Sequence, residues 1–165
     1  MERVIDTTLF APLVTTYYKT TSDPTETVNR SEIFQDINDG LAILSFFGHS
    51  SGQVFDFDID RPENYANAGR CPIIFSFGCY SGDMYTGTKS IGERFVLRSE
   101  TGAVAFGATQ GVGFVGALGE FGRELYRRIG TENYGQGLGQ IIQETVGAFE
   151  GSGNYTMVTM LEQYA

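Results

Sequence analysis

The sequence predicts an α/β layer fold built on a parallel sheet, and two observations carry this prediction. Three continuous apolar runs of strand length, residues 41–47, 72–77 and 103–106, are typical of strands buried on both faces of such a sheet. Segments with the apolar spacing of helices alternate with these runs, which implies right-handed crossover connections. The sequence shows no internal repeat and no long linker, so we expect residues 1–165 to form a single domain.

The residues ahead of the first apolar run predict an extended segment and one helix. The β-branched and aromatic residues 14–18 favour a strand or an extended arm. Asn29 is predicted to cap a helix, with Glu32 three residues later completing a capping box, and Gly40 is the expected end. The predicted buried side of this helix consists of Ile33, Phe34 and Ile37.

The other predicted helices follow the second and third apolar runs. One helix is expected near residues 90–99, and two more near residues 138–149 and 155–163. Between them, after a Gly-rich loop, a long helix is predicted from one apolar stripe: Leu118, Phe121, Leu125 and Ile129. Residues 56–69 are expected to form a substantial loop at the sheet edge where sites of parallel sheets form.

Charge and hydropathy exclude several classes of function. The formal net charge is −9, so the protein repels the phosphates of nucleic acids and anionic membrane surfaces, and we expect it to bind neither. No apolar run approaches the length of a membrane span, and the N-terminal residues lack the pattern of a signal peptide. These features predict either a cytoplasmic protein or a piece of a longer precursor.

The two cysteines, Cys71 and Cys79, flank the second apolar run. An extended chain between them spans roughly 26 Å, whereas a disulfide needs Cα atoms within about 7 Å. We therefore expect both to be free thiols. A zinc site built from cysteine and histidine is improbable because the chain contains one histidine, and we expect no metal or cofactor.

The single histidine and one of the cysteines occupy equivalent places on successive predicted strands. The first apolar run ends in Gly48-His49, and the second ends in Gly78-Cys79. The ends of neighbouring parallel strands lie about 5–10 Å apart, which is the geometry of a thiol nucleophile and an imidazole on either side of a scissile bond. The glycines let the chain leave the sheet sharply, and the backbone N–H groups of Ser50 and Cys79 are then free to bind an oxyanion.

These residues and their surroundings resemble a known family. The segment FFGHSSG, followed after a loop by PIIFSFGCYSGDMY, resembles the gingipain-type cysteine peptidases, which belong to the wider caspase-like group. The downstream segment SIGERFVLRSETGAVAFGATQ resembles the helix, strand and pocket loop of that family. The resemblance covers roughly residues 28–142.

The resemblance implies a caspase-like three-layer sandwich with a mostly parallel sheet and helices on both faces. It also implies a cysteine endopeptidase that acts through a thioester acyl-enzyme: Cys79 attacks the peptide carbonyl, and His49 is the general acid/base that protonates the leaving amine. The substrates are then proteins or peptides. Members of the family are mostly exported by bacteria, so the resemblance implies a secreted or cell-surface protein.

The sequence departs from the family pattern in two places. The family usually has glycine after the histidine, where this chain has Ser50. The family's sheet also has two strands upstream of the histidine strand, in a region longer than the residues available here. We therefore expect a truncated catalytic domain that belongs to a longer parent chain. An acidic residue orients the histidine in some members; Asp6 and Asp23 are available for this role, and the spacing selects neither.

The Gly-rich loop after the third apolar run has two interpretations. Residues 111–116 match G-x-G-x-x-G, which taken alone suggests a dinucleotide fold. The motif follows the third strand rather than the first, and no acidic residue ends a strand about twenty residues later. We favour a loop beside the site that shapes a pocket for a substrate side chain, with Thr109, Gln110 and Gly111 as its lining.

Acidic residues after the histidine and the cysteine also allow two roles each. Alternating acids in residues 56–60, with Glu63, permit a calcium site, although the glycine and distal glutamate of an EF-hand loop are missing, and a solvated loop is the default. Asp83 either caps a helix or helps to bind a basic substrate side chain.

A different class of function remains open. A free cysteine that ends an apolar strand is usually a small buried hydrophobic residue, and the chain is then an inactive caspase-like binding or structural domain. A third hypothesis, within the caspase-like group, is a regulatory protease module with a narrow protein target.

Overall fold

The computed structural model describes residues 13–59, 61–85 and 87–150. Its framework is a parallel three-stranded sheet of β1 (Ile43–Phe47), β2 (Ile73–Phe77) and β3 (Ala105–Ala108), in that order across the sheet. The register pairs Ile43 with Ile73 and Phe47 with Phe77, so β1 and β2 start and end together. The predicted α/β class with a parallel sheet is therefore confirmed.

Four α-helices and one short 3₁₀ helix lie between and after the strands in the part of the chain that the structure describes. They are α1 (Arg30–Asp39), the 3₁₀ helix Pro62–Asn64, α2 (Ile91–Val96), α3 (Val115–Gly130) and α4 (Leu138–Glu150). Helix α2 begins with a capping box in which Ser90 and Glu93 each accept the other's backbone N–H. The first turn of α2 is thereby held rigidly, directly after the loop that follows β2.

The described residues fall into two compact units, and the first, Tyr17–Gly113, contains the sheet, α1 and α2. The apolar side chains on one face of its sheet form a core with those of α1, α2 and the loop after β1. Burial of each large apolar side chain stabilises the fold by about 1.5–3 kcal/mol. The buried members of this core are Ile33, Ile37, Phe46, Phe55, Ile59, Tyr65, Ile74, Ile91, Phe95 and Ala103.

The second unit contains α3 and α4. The predicted stripe on α3 is buried at Leu118, Phe121 and Leu125, and it becomes half-buried at its last member, Ile129. Arg128 pairs with Glu124 of its own helix at 2.8 Å, and it joins α3 to α4 through an ion pair with Glu144 at 3.4 Å. None of the helices in residues 13–59, 61–85 and 87–150 is long and apolar enough to cross a membrane.

Three local predictions differ from the structure. Asn29 precedes α1 as expected, but its side chain makes no capping hydrogen bond, so the predicted capping box is wrong. β1 is not buried on both faces, because it is the edge strand of the described sheet and leaves Ser45 and Phe47 exposed. β3 lies two residues later than the apolar run predicted, since Gly107 and Ala108 continue the ladder with β2.

Two further predictions concern the ends of the chain. Residues 14–18 form no strand, so that alternative is wrong, and the extended arm stays a prediction. The predicted helix near residues 155–163 lies outside the described residues. Gly40 ends α1 as expected, with a φ of 104° that a residue bearing a side chain rarely adopts.

Candidate active site

His49 and Cys79 follow neighbouring strands at the same edge of the sheet. Phe47 and Phe77 are the last paired residues of β1 and β2, and each is followed by a glycine and then by the histidine or the cysteine. Paired parallel strands lie about 4.8 Å apart, so the two segments leave the sheet side by side. His49 is exposed and Cys79 is half-buried, so neither side chain is lost in the core.

The segment after β1 is a tight antiparallel loop that fixes the backbone of His49. The N–H of Asp56 donates to the carbonyl of His49 at 2.8 Å, and the N–H of Ser51 donates to the carbonyl of Val54 at 2.9 Å. Phe55 is buried and packs on Phe46 with ring centroids 4.3 Å apart. Phe55 therefore anchors the loop that carries His49 in the core.

Gly48 is required by the packing around this loop. A Cβ at Gly48 would meet Oδ1 of Asp56 at 2.7 Å and the Phe46 ring at 2.9 Å. The Asp56 carboxylate thus lies beside the backbone that carries His49, and its Oδ2 atom is 3.5 Å from Nζ of Lys19. The His49 side chain is exposed, and no hydrogen bond from its imidazole to another described residue is present.

The segment after β2 is held against the residues that follow β3. The N–H of Tyr80 donates to Gly111 O at 2.8 Å, and the N–H of Gly82 donates to Thr109 O at 3.0 Å. Tyr80 has a φ of 57°, in the left-handed region that costs a residue with a side chain about 1–3 kcal/mol. This conformation turns the chain sharply after Cys79, and the surrounding hydrogen bonds maintain it.

The Cys79 sulfur lies against the backbone of one glycine. The Gly113 N–H donates to Sγ at 3.4 Å, and Sγ is 3.7 Å from the Gly113 carbonyl oxygen. Sequence analysis did not single out Gly113, although it lies in the Gly-rich loop assigned to the site. The positive φ of Tyr80 also had no sequence signal, because glycine or asparagine is the usual residue in that conformation.

Two hydroxyl groups tie the segments together. Ser50 Oγ donates to the Cys79 carbonyl at 2.7 Å, and the hydroxyl of buried Thr109 donates to the carbonyl of Gly78. A buried pair of hydroxyls, Ser76 and Ser81, is joined at 2.7 Å and links β2 to the turn after the cysteine. The buried hydroxyl groups here are thus satisfied, as a rigid site requires.

The predicted oxyanion donors lie at this edge. The N–H groups of Ser50 and Cys79 have no hydrogen-bond partner among the residues that the structure describes. Gly48 and Gly78, which were predicted to open this space, have no room for a side chain, because a Cβ at Gly78 would overlap Ser50 Oγ and lie 3.0 Å from Gly48 O. The role of Gly48 and Gly78 in oxyanion binding stays a prediction.

The four residues predicted to line a substrate pocket have different environments. Gln110 and Gly111 are half-buried beside the Cys79 segment, and Asp83 is half-buried with its Oδ1 accepting the N–H of Tyr85 at 3.0 Å. The helix-capping alternative for Asp83 is wrong, because the next helix begins at Ile91. The prediction for the Thr109 side chain also needs correction, since its hydroxyl is fully buried and bonded to Gly78.

The acidic residues considered for calcium each pair with a different cation. Lys19 pairs with Asp56 at 3.5 Å, Arg30 pairs with Asp58 at 3.3 Å, and Arg94 pairs with Glu63 at 3.3 Å. Asp60 lies outside the described residues. Within the described ranges, no three acidic, histidine or cysteine side chains converge on a common point, and a calcium site in this loop stays a prediction.

A cavity of about 570 Å³ lies at the opposite end of the strands, beside the second cysteine. Cys71 precedes β2, and the lining residues Ala103 and Val104 precede β3, so this depression opens at the amino edge of the sheet. It is far from the chemistry at the carboxyl edge, and we do not assign the active site to it.

The sequence profile of Peptidase family C25 matches residues 2–162. No curated protein sequence matches the chain. The crystal structure of gingipain R, an Arg-specific cysteine proteinase, matches with a TM-score of 0.69 and 18% identity, over 82% of this chain and 34% of that chain. The complex of the pro- and mature domains of Porphyromonas gingivalis RgpB matches with a TM-score of 0.68 and 17% identity, over the same shares of the two chains.

A third structure, of a protease, matches with a TM-score of 0.65 and 11% identity, over 73% of this chain and 31% of that one. The chain thus spans about a third of the length of the solved proteins it matches. These likenesses show a shared fold and confirm the predicted caspase-like α/β class. Because the family profile extends over almost the whole sequence, the chain belongs to peptidase family C25.

Proposed function

We propose that this chain is the His- and Cys-bearing part of a cysteine endopeptidase, with Cys79 as nucleophile and His49 as general acid/base. Membership of a peptidase family supports the reaction class. The observation that carries the residue assignment is the register of β1 and β2, which end together at Phe47 and Phe77 and send the histidine and the cysteine off the same sheet edge. An exposed imidazole and a half-buried thiol that follow the ends of paired strands are the groups that this chemistry needs.

The reaction follows from these groups. The Cys79 thiol gives its proton to His49, and Sγ forms a bond to the peptide carbonyl carbon. The carbonyl oxygen becomes an oxyanion and accepts the free N–H groups of Ser50 and Cys79. His49 then delivers the proton to the amine nitrogen while the C–N bond breaks, leaving a thioester. Water, deprotonated by His49, attacks the thioester and releases the acid and the thiol.

The Cys79 environment supports this proposal over the inert-thiol alternative. A structural cysteine at a strand end packs among apolar side chains. Cys79 instead has its sulfur on the Gly113 backbone, and the chain around it contains the left-handed Tyr80. Backbone strain of this kind is found preferentially at functional sites.

The first experiment is intact-mass labelling with peptidyl acyloxymethyl ketones, followed by mapping of the modified cysteine. The panel carries Arg, Lys or an apolar residue next to the ketone, so that the best probe reports the preferred side chain. We expect one adduct, on Cys79 and not on Cys71. In His49→Ala the labelling rate falls by about 10²–10⁴-fold, which is the usual contribution of a general acid/base.

The opposite result has a definite meaning. Equal and slow labelling of both cysteines, unchanged in His49→Ala, would contradict the proposal and favour an inactive binding or structural domain. The same panel applied to a longer form of the parent chain then separates a truncated enzyme from a pseudoenzyme, because the match covers 34% of the length of the relatives.

The pocket, the substrate and the location complete the proposal. The pocket beside Cys79 is formed by Gln110, Gly111 and Asp83, and its substrate is a protein or peptide. If Asp83 binds a basic side chain, Asp83→Asn lowers labelling by the Arg and Lys probes and leaves the apolar probe unchanged. The resemblance to gingipains favours a bacterial protein that works outside the cell or at its surface. RgpB was solved with its pro-domain, and a segment of the parent chain is the corresponding partner proposed here.

A further inference from the structure

The Ser50 side chain spans the space between the two halves of the candidate site. Its hydroxyl donates to the carbonyl oxygen of Cys79 at 2.7 Å, across 29 positions of sequence. Among the side-chain hydrogen bonds of the described residues, this is the one that joins the His49 loop, residues 48–56, to the Cys79 segment, residues 78–83. The bond ends on the nucleophile's own peptide group.

Most of the other hydrogen bonds that hold the Cys79 segment come from a different direction; Ser81, at its far end, is bound by the Gly92 N–H of α2 and by the Ser76 hydroxyl of β2. Tyr80 N–H is bound by Gly111 O, Gly78 O by the Thr109 hydroxyl, and Cys79 Sγ by Gly113 N–H. All three partners follow β3, on the side of the cysteine strand that faces away from β1. They fix the cysteine relative to β3. The β1–β2 ladder fixes the two strand ends as far as Phe47 and Phe77, and the Ser50 bond continues the connection between the two segments beyond the end of that ladder.

The packing of Gly78 shows how closely Ser50 fits. A Cβ at Gly78 would overlap Ser50 Oγ, and it would lie 3.0 Å from Ser50 Cβ and from the Gly48 carbonyl oxygen. The Ser50 hydroxyl therefore occupies the space that a side chain at position 78 would fill. Positions 50 and 78 together hold one small side chain, and it reaches from the His49 loop to the Cys79 segment.

We propose that the Ser50 hydroxyl is a positioning group that sets the spacing between the His49 imidazole and the Cys79 thiol by tying their backbones together. This role rests on the proposed peptidase function and adds a side-chain role to a residue otherwise assigned through its backbone N–H. Ser50 acts through Cys79 and touches no reacting atom with its hydroxyl. Small displacements of reacting groups are costly, so removal of the tie slows the His49-dependent reaction by about tenfold or more.

The test compares Ser50→Ala with Ser51→Ala in the same chain. Ser51 is the matched control, because its hydroxyl stays within the loop and accepts the N–H groups of Gln53 and Val54, each at 3.3 Å. We expect Ser50→Ala to lower the rate of Cys79 labelling by the best peptidyl ketone about tenfold, and Ser51→Ala to leave it within about twofold. Ser50→Gly serves as a second variant should Ser50→Ala fold poorly.

Two readouts separate positioning from loss of stability. The pH profile of labelling between about pH 5 and pH 9 reports the His/Cys pair, and it changes in Ser50→Ala but not in Ser51→Ala. In a His49→Ala background, Ser50→Ala causes no further loss, because there is no imidazole left to position. A merely structural role for Ser50 would lower the rate in both backgrounds by the same factor.

Hydrogen exchange provides a readout that needs no activity. The amides of Tyr80 and Gly82 are hydrogen-bonded, and we expect them to exchange faster in Ser50→Ala than in Ser51→Ala. If the wild-type chain labels and Ser50→Ala labels equally fast with the same pH profile, the positioning role is overturned while the peptidase proposal stands. If the wild-type chain does not label, the peptidase proposal fails for this chain, and hydrogen exchange alone tests the role of Ser50. Unchanged exchange at Tyr80 and Gly82 would then show that the Ser50 hydroxyl does not hold the Cys79 segment.

Discussion

The two ends of β2 carry the same residue type in opposite surroundings. Cys71 stands two residues before the strand and Cys79 two residues after it, and both are half-buried free thiols. The Cys71 sulfur faces two carbonyl oxygens, of Asn67 at 3.6 Å and Glu100 at 3.9 Å. The Cys79 sulfur accepts the backbone N–H of Gly113. The strand paired with β2 is β1, which leads to the only histidine of the chain.

The two thiols therefore differ in their position on the sheet and in the groups around them. At the amino edge, Asn67 is fully buried and forms two hydrogen bonds with the backbone of Gly102, which makes a stiff structural clamp. At the carboxyl edge, N–H groups are left without partners and Tyr80 is held in a left-handed conformation. The buried clamp lies at one end of the strand and the proposed nucleophile at the other.

The largest expected effect separates the two cysteines. Cys79→Ala abolishes labelling by peptidyl ketones and any peptidase activity, because the bond-forming atom is gone. Cys71→Ala leaves both unchanged within about twofold, since its sulfur contacts structural carbonyls only. Mass spectrometry of the labelled variants measures this directly. Loss of labelling in Cys71→Ala, with Cys79→Ala still labelled, would reverse the assignment of the two ends.

One glycine at each end of β2 extends the comparison. Substitution by alanine is expected to have a different effect at Gly102 than at Gly78. Gly102 has a φ of 97°, and a Cβ there would overlap the Phe95 carbonyl oxygen, so Gly102→Ala lowers the free energy of unfolding by about 2–4 kcal/mol. Gly78→Ala instead displaces Ser50 and damages the site. Urea denaturation and labelling rates together distinguish them.

We expect the two variants to rank in opposite orders for folding stability and for labelling rate. Gly102→Ala loses the most stability yet labels near the wild-type rate at a temperature where it is folded, whereas Gly78→Ala labels at least about tenfold more slowly. The double variant Ser50→Gly/Gly78→Ala recovers part of the folding stability, because the overlapping hydroxyl has been removed. Labelling at the wild-type rate in Gly78→Ala would show that its contact with Ser50 does not matter for the site.

A smaller effect is expected from the clamp at the amino edge. Asn67→Ala leaves the N–H and the C=O of Gly102 buried without their partners, which costs about 2–3 kcal/mol of unfolding free energy. Thermal unfolding measures this loss, and the labelling rate of the folded protein stays at the wild-type value. A parallel fall of stability and labelling rate would mean that the two ends of β2 are coupled.

Much of this fold could be predicted from the sequence because its elements are locally encoded. Continuous apolar runs indicated β1 and β2 correctly, and the stripe with helical spacing indicated α3. The predictions failed where a neighbour decides the outcome. Asn29 has the composition of a cap without the hydrogen bond, and β1 is an apolar strand with two exposed side chains because no strand covers its outer edge in the described sheet.

The candidate site was predictable in its position and not in its connections. The parallel topology brings the ends of consecutive strands together, so His49 and Cys79 were identifiable from two glycine-flanked strand ends. The contacts of Gly113 with the thiol and of Ser50 with the Cys79 carbonyl depend on where loops distant in sequence meet. Local sequence patterns do not encode contacts between loops that are distant in sequence. The prediction that Thr109 lines a pocket was wrong for the same reason, because its side chain is buried.

The smallest expected effect concerns Glu26, which anchors the far end of the His49 loop. Its backbone bonds Asp56 and Asp58, each at 2.8 Å, and its buried carboxylate accepts N–H groups that hold the pKa of Glu26 at about 2, those of Val28 and Thr20 foremost. The folded-state pKa lies below the ordinary value of 4.5, so the carboxylate contributes stability above about pH 4.5 and loses it as the pH falls toward 2.

Glu26→Gln separates this contribution from general acid unfolding. The variant cannot ionise, so it is less stable than the wild type at pH 7, and the gap between their urea midpoints closes as the pH falls through the window from about 4.5 to about 2. Glu32→Gln, at an exposed position on α1, is the matched control for the substitution itself. A Glu26→Gln gap that stays the same across this window would show that the carboxylate charge contributes nothing to the anchor, and that the His49 loop is held at this end by its backbone bonds alone.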